Sequence, residues 1–146
     1  MKRILVIDDE KEARRLLRSL LEREGYSVME AKNGEEGVNL FRADPCDMII
    51  TDLVMPVKDG LKTILDVRAL APKVPVLAIS GGGSIAKERY LSTASFIEYV
   101  ETLAKPFSRE ELLKQVRRML NDDPSTGEEL AVERVRRMLN NDLGTE

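Results

Sequence analysis

Ile4-Leu5-Val6-Ile7-Asp8-Asp9 sets four aliphatic residues against two acids near the start of the chain, and the same arrangement returns further on. Met48-Ile49-Ile50 leads to Asp52, the run Val74 to Ile79 leads to Ser80, and the weaker Thr102-Leu103-Ala104 leads to Lys105. Runs this short, aliphatic or β-branched and without polar alternation, read as strands buried on both faces. Segments with helical spacing separate them, so the expected fold class is α/β: a doubly wound parallel sheet with helices on both faces. Ligands bind such sheets at the carboxyl ends of the strands. Asp8, Asp9, Asp52, Ser80 and Lys105 all fall there.

Outward from the first run, a helix is expected after Asp9, with Ala13, Leu16, Leu17, Leu20 and Leu21 on its apolar face and Gly25 as its stop. A weaker strand follows around Val28. Asn33 with Glu36 marks a second helix start, and Asp44-Pro45 its end. Beyond Asp52, the loop from Leu53 to Gly60 leads into a helix whose core face is read as Leu61, Ile64 and Leu65. Pro72 and Pro75 bracket the return to the next strand. Gly81-Gly82-Gly83 follow Ser80 directly, and a helix is expected over residues 86–96. Ser108 and Glu111 form a capping-box pattern ahead of Leu112, Leu113, Val116, Met119 and Leu120. Thr126 and Glu129 repeat that pattern, and Val116-Arg117-Arg118-Met119-Leu120-Asn121 recurs verbatim as Val135 to Asn140. This reads as one duplicated terminal helix, whose apolar stripe needs a surface on its own domain or on another subunit.

The 146 residues suffice for one domain and a modest extension. No apolar run is long enough to span a bilayer, and acids directly behind four apolar residues are unlike a signal peptide, so a cytoplasmic protein is expected. The net charge of -3 gives no electrostatic reason to expect nucleic-acid binding. Cys46, the single cysteine, excludes an internal disulfide or a cysteine metal cage, and reads as a small, partly buried side chain. With no histidine, the chain has no imidazole for acid-base chemistry or for carrying phosphate. Any phosphohistidine in its pathway belongs to another protein.

Carboxylates converging at one point repel, and the usual remedy is a hard divalent cation with oxygen ligands, for which Mg²⁺ is the natural candidate. A carboxylate can then attack a phosphoryl group and become an acyl phosphate. The charge spread over the phosphoryl oxygens calls for a cationic donor, which Lys105 supplies, and Ser80 can add a hydroxyl hydrogen bond. Singly, each residue admits a plain structural role: Asp9 could cap the first helix with Glu12, Asp52 a turn, Ser80 could satisfy loop amides, and Lys105 could be an exposed lysine. In chain order, at the ends of separate strands, they point to phosphate chemistry together.

The same positions resemble the receiver domains of bacterial two-component response regulators. Asp8-Asp9, Asp52, Met55-Pro56, Asp59-Gly60, Ser80 and Lys105-Pro106 fill every position of that family's pattern. The resemblance implies a five-stranded sheet in flavodoxin-like order 2-1-3-4-5 over residues 1–121, followed by a linker and extra amphipathic helix at 122–146. It implies phosphorylation of Asp52 by a sensor histidine kinase or histidine phosphotransfer protein. Mg²⁺ would be bound by Asp9, Asp52 and the Val54 carbonyl, with Asp8 acting through a metal-bound water. Ser80 would be the switch residue, Lys105 would pair with the phosphoryl group, and the Lys105-Pro106 bond would be cis.

Three departures stand out. The aromatic switch position, three before the lysine, is Thr102, so transmission is expected through Ser80, the triple glycine and the following helix. Glu98-Tyr99 replaces a common Gly-Ala, and Tyr99 is set between a packed surface tyrosine and a partial stand-in for the missing ring. Val54 and Gly82, at positions that tune acyl-phosphate lifetime in the family, cannot orient an attacking water, so slow self-dephosphorylation is expected.

A haloacid-dehalogenase-like phosphatase shares the Mg²⁺, Asp and Lys but needs its nucleophile in an Asp-x-Asp after the first strand. A flavodoxin-like mononucleotide binder needs a neutral loop where this chain has Asp8-Asp9-Glu10. Residues 122–146 are too few for a winged-helix effector, which favours a stand-alone regulator contacting an unknown target protein, with a homodimer through the terminal helix possible. The alternative is the receiver part of a longer, multidomain regulator.

Overall fold

In the computed structural model, residues 1–53, 55, 59–81 and 97–121 are described. The elements run β1 (Arg3–Ile7), α1 (Lys11–Arg23), β2 (Ser27–Ala31), α2 (Gly34–Ala43), β3 (Met48–Asp52), α3 (Gly60–Leu70), β4 (Val76–Ser80), β5 (Val100–Ala104) and α4 (Arg109–Met119). The chain divides into two compact units, Met1–Leu113 and Lys114–Glu146; the first carries the whole sheet. All strand pairs are parallel, and the order is β2-β1-β3-β4-β5, as expected for a flavodoxin-like doubly wound sheet. The expected helix at 86–96, Gly82, Gly83 and the duplicated helix beyond residue 121 lie outside the described residues. No helix among the described residues is long and apolar enough to cross a membrane.

The strands are buried because both faces are covered. Leu5, Ile7, Ile49, Val76 and Ala78 face one way and pack with Val38 and Phe41 of α2 and Ile64 and Val67 of α3. Their strand neighbours Ile4, Val6, Ile50, Leu77 and Ile79 are equally buried on the other face. There α1, which contacts β1 and β2, buries Leu17 and Leu21.

Helix ends follow local chemistry. Asn33 caps α2 by accepting from the Glu36 N–H at 2.8 Å, and Ser108 caps α4 by accepting from the Glu111 N–H at 3.0 Å. After α1, Gly25 adopts φ +93°, which a Cβ would resist.

Several expectations need correction. Glu10, not Asp9, occupies the N-cap of α1, and its side chain makes no capping bond, which leaves Asp9 free of that structural role. Leu16 is 62% exposed, because the face that α1 buries runs through Leu17 and Leu21. Likewise Leu65 is 52% exposed. Asp59 caps α3, its carboxylate accepting from Lys62 N–H at 2.8 Å, and that start puts Gly60, Thr63, Ile64 and Val67 inward in an i, i+3, i+4, i+7 stripe. β5 begins at Val100, two residues before the apolar run suggested, and β4 begins after Pro75. Tyr99 precedes β5 with φ 61°, a conformation rare for a bulky residue, and half of it is exposed beneath the Arg68 guanidinium. The full length of β5 separates it from Lys105, so it cannot replace the ring missing at Thr102.

Candidate functional site

Register brings the polar strand ends together. Ile7 pairs with Thr51, so Asp8 and Asp52 leave neighbouring strands at the same height. Asp52 pairs with Ile79, and Ser80 with Ala104, which places Ser80 and Lys105 one step further across the sheet. The ladder runs on past the strands: Leu53 N–H donates to Ile79 O at 2.9 Å, Lys105 N–H to Ser80 O at 2.8 Å, and Asp8 N–H to Ala31 O at 3.1 Å. The Lys105-Pro106 peptide is cis.

One carboxylate oxygen each from Asp8, Asp9 and Asp52 lies within 4.8 Å of the others. Asp8 is buried, Asp52 half-buried and Asp9 exposed. Lys105 Nζ approaches Asp52 Oδ2 to 4.0 Å, a loose ion pair. The Glu10 N–H donates to Asp8 Oδ1 at 2.9 Å. Burial pushes the Asp8 carboxyl above its ordinary value; the Glu10 N–H and the Lys105 charge oppose that shift, and the Asp9 and Glu10 charges add to it. Ser80 is fully buried, and its Oγ has no hydrogen-bond partner among the described residues.

An acidic trio, a lysine and an unspent hydroxyl at the carboxyl edge of a 2-1-3-4-5 sheet match one group of known proteins. The family model described as "Response regulator receiver domain" matches residues 4–117. The chain belongs to the response regulator receiver family. The response regulator MprA of Mycolicibacterium vanbaalenii is 35% identical over 133 residues, which cover 89% of this chain and 56% of that protein. The chain thus spans about half the length of the curated relatives it matches. Among solved structures, the chemotaxis protein CheY4 of Vibrio cholerae superposes with TM-score 0.71 at 29% identity, covering 82% of this chain and 98% of that one. TrrA of Thermotoga maritima, solved in complex with Mg²⁺-BeF, gives TM-score 0.71 at 32% identity, with 82% and 99% covered.

The donor set of this receiver fits a hard divalent cation. All three groups are oxygen donors, and the burial that penalises the Asp8 charge is what a bound cation would offset. Ligands about 2.1 Å from Mg²⁺ can be no more than about 4.2 Å apart, so a spread of up to 4.8 Å leaves room for one carboxylate to act through a water. Val54, whose carbonyl the resemblance adds to this set, lies outside the described residues, as does Gly82.

Two contributors to the site were not singled out from the residue pattern. A Cβ on Gly60 would collide with the Asp52 carbonyl oxygen and lie 2.6 Å from Leu53 Cα, so α3 starts flush against the backbone that carries Asp52. Gly60 N–H also donates to Leu53 O at 2.7 Å. The Asp59-Gly60 pair was legible as part of the family pattern, but not this reason for it. Arg14 donates from Nη1 to the Asp8 carbonyl at 2.8 Å, and no motif points to it.

Proposed function

We propose that Asp52 of this receiver accepts a phosphoryl group from a phosphohistidine on a sensor kinase or phosphotransfer protein. The carboxylate oxygen bonds to phosphorus as the phosphorus–imidazole bond breaks, and the departing nitrogen is left as neutral imidazole after taking a proton. The donor histidine lies outside this sequence, which contains none. The observation that carries the reading is the convergence of Asp8, Asp9 and Asp52 within 4.8 Å, with Lys105 Nζ 4.0 Å from Asp52.

Asp9, Asp52 and the Val54 carbonyl would hold Mg²⁺ directly, with Asp8 through a water. When bound, the ion neutralises the carboxylates and takes up charge from the phosphoryl oxygens. Lys105 pairs with the added group once the Asp52 carboxylate has become an acyl phosphate and lost its own charge. Ser80 supplies a hydroxyl donor that has no competing partner among the described residues, and leaving it unpaired costs about 1–3 kcal/mol. Bonding it to the phosphoryl group favours a second arrangement of the receiver, a shift of population that a partner protein reads.

Output in this reading is a contact between the phosphorylated receiver and a target protein in the cytoplasm, with residues 122–146 as linker and amphipathic helix, and self-dephosphorylation is slow. The coverage of about half of each MprA relative favours a second reading, in which the receiver works as one part of a longer regulator.

The test is incubation with a small acyl-phosphate donor and Mg²⁺, followed by intact mass and sizing chromatography. Wild type should gain one phosphoryl mass and Asp52→Asn none; an equal gain in the variant would place the chemistry elsewhere. A size increase on phosphorylation would support dimerisation through the terminal helix.

A further inference from the structure

The two acids that end β1 sit on a loop that must be held still to aim them. Four hydrogen bonds pin it. Asp8 N–H donates to Ala31 O at 3.1 Å and Glu10 N–H to Asp8 Oδ1 at 2.9 Å. The other two both come from Arg14: its backbone N–H donates to Glu10 O at 3.0 Å, and its Nη1 to Asp8 O at 2.8 Å. The Asp8 carbonyl and the Asp9 N–H share one rigid peptide plane. Fixing the carbonyl therefore fixes the direction in which the chain leaves Asp8 and the point from which the Asp9 side chain starts.

Arg14 is itself anchored. Its Nε donates to Glu30 Oε1 at 3.0 Å, and Arg18 Nη1 holds the other Glu30 oxygen at 2.7 Å. The Arg14 and Glu30 side chains are only 15% and 23% exposed. A guanidinium presents its donors in a planar fork and can bridge a carbonyl and a carboxylate at fixed angles, which an ammonium cannot do.

We propose that Arg14 is a positioning residue for the acidic pair: by clamping the Asp8-Asp9 peptide between α1 and Glu30 of β2, it sets the affinity of the carboxylate cluster for a divalent cation. This rests on the metal reading above. Charge and position predict opposite signs. As a nearby cation Arg14 repels a metal ion, so if only its charge mattered, removing it would tighten binding. If it positions the acids, removing it weakens binding.

Mg²⁺ is titrated into ¹⁵N-labelled protein and the amide shifts of Asp9 and Glu10 are followed in wild type, Arg14→Gln, Arg14→Lys and Arg18→Gln. Both Arg14 variants should bind about tenfold more weakly, the low end of the effect of groups that orient metal ligands. Arg18→Gln breaks the same Glu30 network and removes the same charge but does not touch Asp8, so it should keep wild-type affinity. Melting in EDTA should fall by similar amounts for Arg14→Gln and Arg18→Gln, separating affinity from stability. If Arg14→Gln does not fold, Arg14→Lys carries the comparison. Unchanged or tighter binding in the Arg14 variants, or an equal loss in Arg18→Gln, overturns the proposal. A wild-type protein that shows no Mg²⁺-dependent shift overturns the metal reading itself, and is recognised before any variant is made.

Discussion

Replacing Asp8 by Asn should raise the stability of this protein in the absence of divalent metal. The Asp8 and Asp52 carboxylate oxygens lie within 4.8 Å of each other, and both side chains are largely shielded from water. Two unit charges at that separation repel by about 3.5 kcal/mol at an effective dielectric of about 20, from 332/(20 × 4.8). Lys105 offsets part of this, since its attraction for the Asp8 charge is lost in the same replacement. The net release is set at about 2 kcal/mol, a rise in Tm of roughly 6–8 °C for a chain of this size. An Asn carbonyl oxygen can still accept from the Glu10 N–H, so little is lost in exchange.

The pH dependence has a definite sign. The Asp8 carboxyl titrates above its ordinary 3.8, so the fold holds this proton more tightly than the unfolded chain does. The penalty is therefore absent below pH 3.8, grows as pH rises through the folded value and is complete above it. Thermal melts in EDTA between pH 3.5 and 8 should show the two proteins converging in acid and Asp8→Asn ahead at neutral pH. Saturating Mg²⁺ should narrow or invert the gap, because a ligand at a hundredfold excess over Kd adds about 2.7 kcal/mol to the protein that binds it. A variant that melts below wild type in EDTA at pH 7, or a gap that ignores pH, would refute the electrostatic reading.

Gly60→Ala forces a Cβ into the Asp52 carbonyl, and overpacking against backbone should cost about 3 kcal/mol or more in chemical denaturation; a loss under about 0.5 kcal/mol would show that α3 can simply slide away. Ile64→Ala should cost about 2–5 kcal/mol and its neighbour Leu65→Ala under about 1, measured by the same method; reversed values would mean that α3 is rotated from the phase set by Asp59.

The sheet was legible because its strands are buried on both faces, so Ile4 to Ile7 and Met48 to Ile50 contain no polar break to confuse with a helix. β5 was legible only in part. Glu101 and Thr102 interrupt its apolar pattern, so its start at Val100 was hidden. Helix phase was the weaker inference elsewhere: counting leucines put Leu16 and Leu65 inside, whereas the stripes are set by where each helix starts. In α3 that start depends on one hydrogen bond to the Asp59 side chain, and small residues, Gly60 and Thr63, occupy inward positions that a hydrophobic count skips.

The site divides along a different line. Asp8, Asp9, Asp52, Ser80 and Lys105 could be named in advance because their chemistry resides in side chains, which a sequence spells out. Gly60 and Arg14 act on main-chain oxygens, those of Asp52 and Asp8, and every residue carries the same carbonyl. Nothing in the letters marks which carbonyl must be approached closely or held in place. It follows that substitutions at these two positions leave all five strand-end side chains intact while moving the acids off their mark. A chain with the full pattern of strand-end residues can therefore still fail as a phosphoacceptor, and where it fails the cause is to be sought in what grips the backbone behind the acids.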